Sequence, residues 1–300
     1  MGEYSITAKN VSKKYGKKHA LIGIDVNLHN NEIIALIGEN GSGKTTFFNL
    51  CSGLDTPSEG EIKVLGDNPR KNCEVSEKIV FSSNTLPVGR VNRIVDVLNY
   101  YNLMYENFDM KFAMNMVRKF NLSEFDKVKS LSTGMRSIFH FICGISARCE
   151  ITILDEPLNG IDVANRKMIC NILLGDFIEH PRTIIISSHI FSELESIVSK
   201  IMLINEGRLV FYKDIDEVRE MMFRADGSKE QIESVFNSDE YCFSKDKELG
   251  SFAIGYGGIG SDTAERARKA GLKISNVSPE DVCQYSVHAY EGKEIEDLWD

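Results

Sequence analysis

Short apolar runs alternate with segments of helical spacing along the first two thirds of the chain. The runs at 32–37, 151–154 and 183–187 are nearly continuous and rich in Ile, which is typical of strands buried on both faces. Residues 91–120 instead place apolar side chains every three or four positions, which predicts helices. This alternation of strands and helices predicts an α/β fold around a largely parallel sheet.

The two ends of the chain have other patterns. Residues 1–30 predict short strands on either side of a turn at 15–18. Composition shifts near residue 224, and the segment 224–300 contains short strand patterns, a glycine cluster and two short helical patterns. We therefore expect a first domain over 1–223 and a small α+β module over 224–300.

Composition narrows the classes of function without choosing one. The chain has 300 residues, with 35 Lys and Arg against 44 Asp and Glu, and a net charge of −9. This balance argues against a nucleic-acid partner, which needs clustered basic side chains. There is no apolar run of roughly 18 residues and no signal-peptide pattern at the start, so a cytoplasmic location is expected. The seven cysteines are scattered without a C-x-x-C pair, which suits a reducing compartment.

The segment after the first buried strand matches the phosphate-loop pattern G-x-x-x-x-G-K-[ST] and precedes a helix predicted over Thr45 to Cys51. Glycines let successive N–H groups point at phosphate oxygens, and the helix N-terminus adds its dipole. Lys44 would reach the β- and γ-phosphates, and the Thr45 hydroxyl would hold Mg²⁺. The candidate nucleotide-binding residues here are Gly38, Glu39, Asn40, Gly41, Ser42, Gly43, Lys44, Thr45 and Thr46.

The strand at 151–154 runs into two carboxylates, Asp155 and Glu156. An acidic residue at a strand end is commonly a helix cap, but a phosphate loop in the same chain favours a catalytic interpretation. Asp155 would bind Mg²⁺ directly or through water, and Glu156 is the candidate general base for the water that attacks the γ-phosphate.

Further motifs appear in a fixed order: Leu131-Ser-Thr-Gly-Met135, a helix, the LDEP strand end, Leu158-Asn-Gly-Ile-Asp162 and Ser187-Ser-His189. In this order the chain resembles ABC-type ATPases from residue 3 to about 215. Details around Phe108-Asp109 and Ser187-Ser-His189 look similar to bacterial ATPases that partner ABC-2 type permeases, the YtrB-like group. The resemblance implies a P-loop fold with an antiparallel β subdomain and a helical subdomain at about 85–147.

The resemblance also assigns roles to individual residues. His189 matches the γ-phosphate sensor and joins Glu156 as catalytic, while Tyr15 matches the aromatic that stacks on adenine. In the family the signature segment faces the nucleotide of a second subunit, so a site is complete only when two subunits enclose ATP. The residues matched to that role are Ser132, Thr133, Gly134, Met135 and Asp162.

Two positions depart from the family pattern. Asn84 stands where the family has a Gln that touches Mg²⁺ and the attacking water, and its amide is one methylene shorter. Its contact with Mg²⁺ would then pass through water or be shared with a neighbour such as Ser83. Met135 replaces the Gln of the signature and removes a polar side chain. These departures concern the rate of ATP hydrolysis and its coupling to a permease, rather than ATP binding.

The resemblance implies an ATP- and Mg²⁺-binding subunit of an ABC exporter, held at the cytoplasmic face of the membrane by a separate transmembrane permease. A second ATPase subunit, identical or different, would complete the site. Residues 85–130 would present the coupling surface, with Tyr100, Tyr101 and Leu103 as docking candidates.

Two alternatives remain beside the transporter interpretation. One is a soluble ABC ATPase that acts on nucleic acid or ribosomes, but the stretch from Lys44 to Ser132 is too short for a coiled-coil arm and lacks paired cysteines. The other is a regulatory or slow subunit that relies on a partner ATPase, which Asn84 keeps open although Glu156 and His189 are intact.

The tail contains a second glycine pattern, since Gly255-Tyr-Gly-Gly-Ile-Gly260 fits the dinucleotide fingerprint G-x-G-x-x-G. Too little chain follows it to build a doubly wound sheet. We therefore predict a simple turn, with Ser261 or Asp262 as the cap of the next helix.

Overall fold

The computed structural model describes residues 3–83, 93–188, 191–237, 240–245 and 251–291. The chain divides into two compact units, Met1–Leu209 and Val210–Asp300. This division falls earlier in the chain than the boundary at residue 223 expected from composition. Across the described residues, no helix combines the length and apolar character needed to cross a bilayer.

The first unit contains both sheets expected of its sequence. Its strands are β1 (Tyr4–Tyr15), β2 (Lys18–His29), β3 (Ile33–Ile37), β4 (Glu59–Val64), β5 (Ile79–Ser83), β6 (Ile151–Asp155), β7 (Thr183–Ser188) and β8 (Lys200–Asn205), with β9 (Arg208–Asp214) crossing the division. Its helices are α1 (Lys44–Cys51), α2 (Cys73–Ser76), α3 (Ile94–Met104), α4 (Met110–Lys119), α5 (Thr133–Ser146) and α6 (Val163–Glu179), with a 3₁₀ turn at Val128–Ser130.

An antiparallel sheet of order β2-β1-β4 is built around the predicted hairpin, in which Tyr15 pairs with Lys18. The larger sheet has the order β5-β6-β7-β3-β8-β9, and the pairs from β5 to β8 are parallel. Strands β6 and β7 are buried along their whole length, as the continuous apolar runs predicted. Because parallel strands end at one edge of the sheet, the ends of β3, β6 and β7 bring their following residues together.

Helices α3, α4 and α5 form the helical region predicted from the spacing at 91–120 and from the segment after the signature. Helix α5 packs tightly on the parallel sheet, because a Cβ on Gly144 would lie 2.7 Å from a Leu154 methyl group. On α3, Tyr100 and Leu103 are exposed, as expected of docking candidates. Tyr101 differs, since its ring packs inward against Tyr105 and Phe108 with centroids 5.5 and 6.0 Å apart.

The second unit is an α+β module with a recognisable order of elements. These are α7 (Ile215–Arg219), β10 (Met222–Gly227), α8 (Lys229–Val235), β11 (Tyr241–Lys245), β12 (Ser251–Tyr256), α9 (Asp262–Lys269), β13 (Lys273–Asn276) and α10 (Pro279–Glu291). The antiparallel sheet order β11-β12-β10-β13, with α8 and α9 as connections, is the ferredoxin-like βαββαβ arrangement. A core that includes Phe223, Ala253 and Leu272 lies between this sheet and its helices. Within 224–300, where two helices were predicted, the described residues form three, α8, α9 and α10.

Candidate nucleotide-binding site

A cleft of about 480 Å³ opens at the carboxyl edge of the parallel sheet. It is lined by the phosphate loop, by strand ends and by the hairpin that joins β1 and β2. The lining residues are Tyr15, Lys18, Ala20, Asn40, Gly41, Gly43, Lys44, Thr45, Thr46, Ser83, Asp155, Glu156 and Asn159. Of these, Lys18, Ala20 and Asn159 were not singled out from the sequence.

The phosphate loop needs glycine at its last turn before α1. Gly43 has φ +114°, and a Cβ there would lie 2.6 Å from the Ala20 carbonyl oxygen and 2.8 Å from a Leu21 methyl. The loop is held from behind, since the Gly207 N–H donates to the Ser42 carbonyl at 2.8 Å. Gly43 offers no side chain to cap α1, so the first N–H groups of this helix remain available to an anion.

Lys44 is buried and directed back over the loop. Its ammonium donates to the carbonyl oxygens of Gly38 at 2.6 Å and Glu39 at 3.1 Å, and lies 4.0 Å from Glu156 Oε1. Burial lowers the pKa of Lys44, and the neighbouring carboxylates of Glu156, Asp155 and Glu39 oppose that shift. The lysine Nζ therefore lies between the loop and the acidic strand end, where a phosphate chain would meet it.

Asp155 is fixed through both carboxylate oxygens. Thr45 Oγ1 donates to Asp155 Oδ2 at 2.9 Å, and Ser187 Oγ donates to Asp155 Oδ1 at 2.6 Å. The same Ser187 oxygen accepts from the Glu156 N–H at 2.8 Å. An adjacent hydroxyl and carboxylate are the hard oxygen donors that Mg²⁺ prefers, so these residues fit the ion expected here.

Ser187 is a member of the site that sequence reasoning missed. The signal was present, because β6 and β7 are adjacent parallel strands in which Leu154 pairs with Ile186. The residues that follow this pair, Asp155 and Ser187, must then lie side by side. Recognising this required the strand order, which the sequence pattern did not supply.

Glu156 begins the turn after β6 in an unusual backbone conformation. Its φ is +50°, in the left-handed region that non-glycine residues rarely adopt. Such strain persists where surrounding structure holds it, here partly through the bond from its N–H to Ser187. Glu156 and Lys44 thus lie close together in the lining of the same cleft.

Tyr15 lies at the rim of the cleft with its ring held in place. Its hydroxyl donates to Asp55 Oδ2 at 2.7 Å, and Lys13 Nζ lies 5.0 Å from the ring centroid while pairing with Asp55 at 2.6 Å. Partial burial and the hydrogen bond to Asp55 raise the pKa of Tyr15, so its phenol stays neutral. The ring is 46% exposed, which leaves surface for a planar ligand.

The signature segment begins α5. Ser132 caps this helix, its Oγ accepting from the Met135 N–H at 3.2 Å. Gly134 lies so close to the Gly160 carbonyl that any side chain there would collide with it. In the same contact, Ser137 Oγ donates to the Asn159 carbonyl at 2.7 Å. The signature helix is therefore packed against the segment that precedes α6.

The lining of the cleft, taken over the described residues, includes none of Ser132, Thr133, Gly134, Met135 and Asp162. Asp162 instead caps α6, accepting from the Asn165 N–H at 3.0 Å. Within one chain, the two predicted sets of nucleotide-binding residues are thus separate. Asn84 and His189 lie outside the described residues, so their roles stay predictions.

A parallel sheet with a glycine loop leading into a helix, and a carboxylate pair at the end of a nearby strand, places the chain among the P-loop ATPases. Residues 21–159 match the ABC transporter family. A bacitracin transport ATP-binding protein of Enterococcus faecalis is 30% identical over 230 residues, covering 72% of this chain and 71% of the relative. The chain belongs to the ABC transporter family, as an ATP-binding and ATP-hydrolysing subunit.

A further relative agrees with this assignment, and a solved structure agrees with the fold. The ABC transporter ATP-binding protein YtrB of Bacillus subtilis is 26% identical over 215 residues, covering 72% of this chain and 74% of the relative. An ATP-binding cassette solved as a dimer with ADP and Pi has a TM-score of 0.60 at 20% identity, covering 70% of this chain and 98% of that one. The predicted fold class, with its antiparallel and helical parts and small α+β module, is confirmed.

Proposed function

We propose that this chain is the motor of an ABC exporter, in which ATP-driven pairing with a second ATPase subunit powers a separate transmembrane permease. The observation that carries the proposal is the cluster of Lys44, Thr45, Asp155, Glu156 and Ser187 at the edge of one cleft. Hydrolysis of ATP needs a phosphate-binding group, a metal ligand and a general base close to one another, and this cluster supplies a candidate for each.

ATP would lie in the cleft, with its phosphates on the loop and its base against Tyr15. Loop N–H groups and Lys44 supply the positive field for the phosphates in an otherwise acidic protein. Thr45 and Asp155 would hold Mg²⁺, with Asn84 as a further predicted ligand. When bound, the ion would neutralise charge on the β- and γ-phosphates.

Glu156 is the proposed general base. Its position directly after β6, across from Lys44, suits a carboxylate that accepts a proton from water near the γ-phosphate. Ser187 holds both the Asp155 carboxylate and the Glu156 backbone, so the metal ligand and the base are positioned by one hydroxyl. His189 is proposed as the γ-phosphate sensor two residues further along.

A second subunit is proposed because the signature and the cleft are separate within this chain. Residues 132–135 and Asp162 lie at exposed helix starts, where they would contact the nucleotide of a partner. The partner can be a second copy or a different ATPase. Binding of ATP would then close the two subunits, and hydrolysis would reopen them.

The permease is proposed as a separate chain that places this subunit at the cytoplasmic face of the membrane. Exposed apolar side chains on α3, among them Tyr100, Leu103 and Met104, suit a docking surface. Relatives named as bacitracin and lantibiotic transport ATP-binding proteins support export, together with the resemblance to ABC-2 ATPases.

Substitution of the loop lysine tests nucleotide binding. Lys44→Ala should weaken ATP binding by about tenfold to a hundredfold, because it removes the charged donor from the phosphates. Fluorescent-nucleotide titration of the full chain measures this affinity. Lys63→Ala, which removes an exposed pair with Glu61 away from the cleft, is the matched control and should bind ATP as the parent does. Unchanged affinity in Lys44→Ala would contradict the proposal.

A further inference from the structure

Four charged side chains of alternating sign form a connected chain in the first unit. Arg182 Nη2 lies 2.7 Å from Asp176 Oδ2, Arg148 Nη2 lies 3.3 Å from Asp176 Oδ1, and Arg148 Nη1 lies 2.9 Å from Asp109 Oδ2. The side chains of Asp176 and Arg182 are only 2% and 4% exposed. We call Asp109, Arg148, Asp176 and Arg182 the ionic chain.

The ionic chain joins the sheet to three helices. Arg182 donates to Thr152 Oγ1 on β6 at 3.2 Å and to the Ile145 carbonyl in the last turn of α5 at 3.3 Å. Asp176 belongs to α6. Asp109 caps α4, its Oδ1 accepting from the Phe112 N–H at 2.8 Å. Each of the three helices is therefore linked to the ionic chain.

Two of these helices begin at residues proposed to face the second subunit. Helix α5 starts after Ser132 and α6 starts after Asp162, whereas the ionic chain lies at the opposite end of α5 and in the C-terminal half of α6. Over the 14 residues of α5 the helix is about 21 Å long, so a tilt of about 10° at the fixed end displaces its start by about 3.5 Å. That displacement exceeds the length of a hydrogen bond.

Stability alone does not account for so many charges in this place. Buried ion pairs lose solvation when they form, and apolar side chains of similar volume often serve stability as well or better. What such pairs supply is a fixed geometry, because their partners and directions are specific. Arg148 is the central link, since it bridges Asp109 on the helical region and Asp176 on α6.

We propose that Arg148 is a positioning residue, which fixes the signature helix α5 and its neighbour α4 relative to α6 so that Ser132 and Asp162 engage the nucleotide of the second subunit together. The inference rests on the two-subunit site of the proposed function. Asp109 has no proposed part in the chemistry; it caps α4 and forms the outer end of the ionic chain.

Arg148→Met is the direct test. Methionine keeps apolar contact with the Phe112 ring, over which the guanidinium lies at 5.3 Å, and leaves the Asp176–Arg182 pair intact. The backbone at residue 148 has φ +46°, which costs the unbranched side chains of Arg and Met about equally. In full-length protein we expect the KM for ATP to stay within about twofold, while kcat falls and the ATP-dependent dimer in a Glu156→Gln background weakens, each by about fivefold.

Three further variants separate positioning from folding. Arg148→Lys keeps the charge and should recover part of the loss. Asp109→Asn keeps the helix cap but removes the charge, and should reproduce the fall in kcat in a milder form. Lys78→Met removes the same charge from an exposed pair with Glu150 and should change nothing.

The outcomes distinguish the inference from the function on which it rests. If Glu156→Gln alone forms no dimer with ATP, the two-subunit site is wrong and this inference falls with it. If that dimer forms but Arg148→Met and Asp109→Asn leave kcat and dimer affinity unchanged, only the positioning role is overturned. A rise in KM together with falls in kcat and melting temperature, without rescue by Arg148→Lys, would also overturn the positioning role, since such changes mark general destabilisation.

Discussion

Two glycine-rich turns in this chain both follow a strand and precede a helix, yet only one forms a phosphate site. The loop at 38–43 leaves a parallel strand, and the loop at 257–260 leaves the antiparallel strand β12. Helix α1 starts without a side-chain cap and without acidic residues in its first turn. Helix α9 is capped by Ser261 and has Asp262 and Glu265 in its first turn.

The difference shows that the surroundings of a glycine loop decide its chemistry. At α9 the cap occupies a backbone N–H, and two carboxylates already compensate the helix dipole and would repel phosphate. At α1 no side chain occupies the first backbone N–H groups, which are therefore available to a phosphate, and Lys44 adds a cation. A turn is found at 257–260, whereas Gly255 and Tyr256 end strand β12, and of the two predicted caps, Ser261 and Asp262, it is Ser261 that caps α9. An antiparallel sheet order leaves no place for a doubly wound fold.

Adding one methyl group to each loop should give the largest contrast. Gly43→Ala combines a left-handed φ with collisions against Ala20 and Leu21, so we expect a loss of about 3 kcal/mol or more in stability, together with loss of ATP binding. Gly257→Ala, at φ +88° and 3.0 Å from the Ser261 Cβ, should cost only about 1–2 kcal/mol.

Denaturant unfolding and nucleotide titration measure the two effects. The comparison predicts unchanged ATP affinity in Gly257→Ala. Gly41→Ala separates backbone strain from collision within the first loop, since an added Cβ there meets no neighbouring atom and only its left-handed φ is unfavourable, so it should cost less stability than Gly43→Ala. Equal losses of ATP binding in Gly43→Ala and Gly257→Ala would contradict the separation of the two loops.

A smaller contrast comes from the tyrosine beside each loop. Tyr15 is 46% exposed and Tyr256 is 41% exposed, so their accessible rings are well matched. Tyr15→Ala should raise the KM for ATP by about two- to tenfold, because an aromatic stacking contact contributes about 0.5–1.5 kcal/mol. Tyr256→Ala should leave that KM unchanged. Steady-state ATPase assays settle the comparison, and equal KM values in both variants would exclude Tyr15 as the adenine platform.

The sequence predicted features that depend on neighbours along the chain. Buried strands showed as continuous Ile-rich runs, the Tyr15–Lys18 hairpin as alternation around a turn, and α1 as a helix after glycines. Lys44, Thr45, Asp155 and Glu156 were found because each motif has a fixed spacing from a strand end. The structure then brought all four to one cleft.

Features that depend on distant parts of the chain could not be predicted. Ser187 joins the site only because β7 lies beside β6, and the ionic chain draws Asp109 and Asp176 together from separate helices. The βαββαβ order of the second unit also follows from strand pairing rather than from local pattern. Tyr101 was expected at the surface because helical spacing alone did not show which side α4 and α5 would cover.

The central claim is that two subunits must close over ATP, and Glu156→Gln tests it most directly. This variant keeps the carboxylate's shape but loses the base, so ATP should bind without turnover. Size-exclusion chromatography with light scattering should then show an ATP-dependent dimer that disappears when ATP is replaced by ADP. A protein that remains monomeric with ATP while hydrolysis persists would contradict the account.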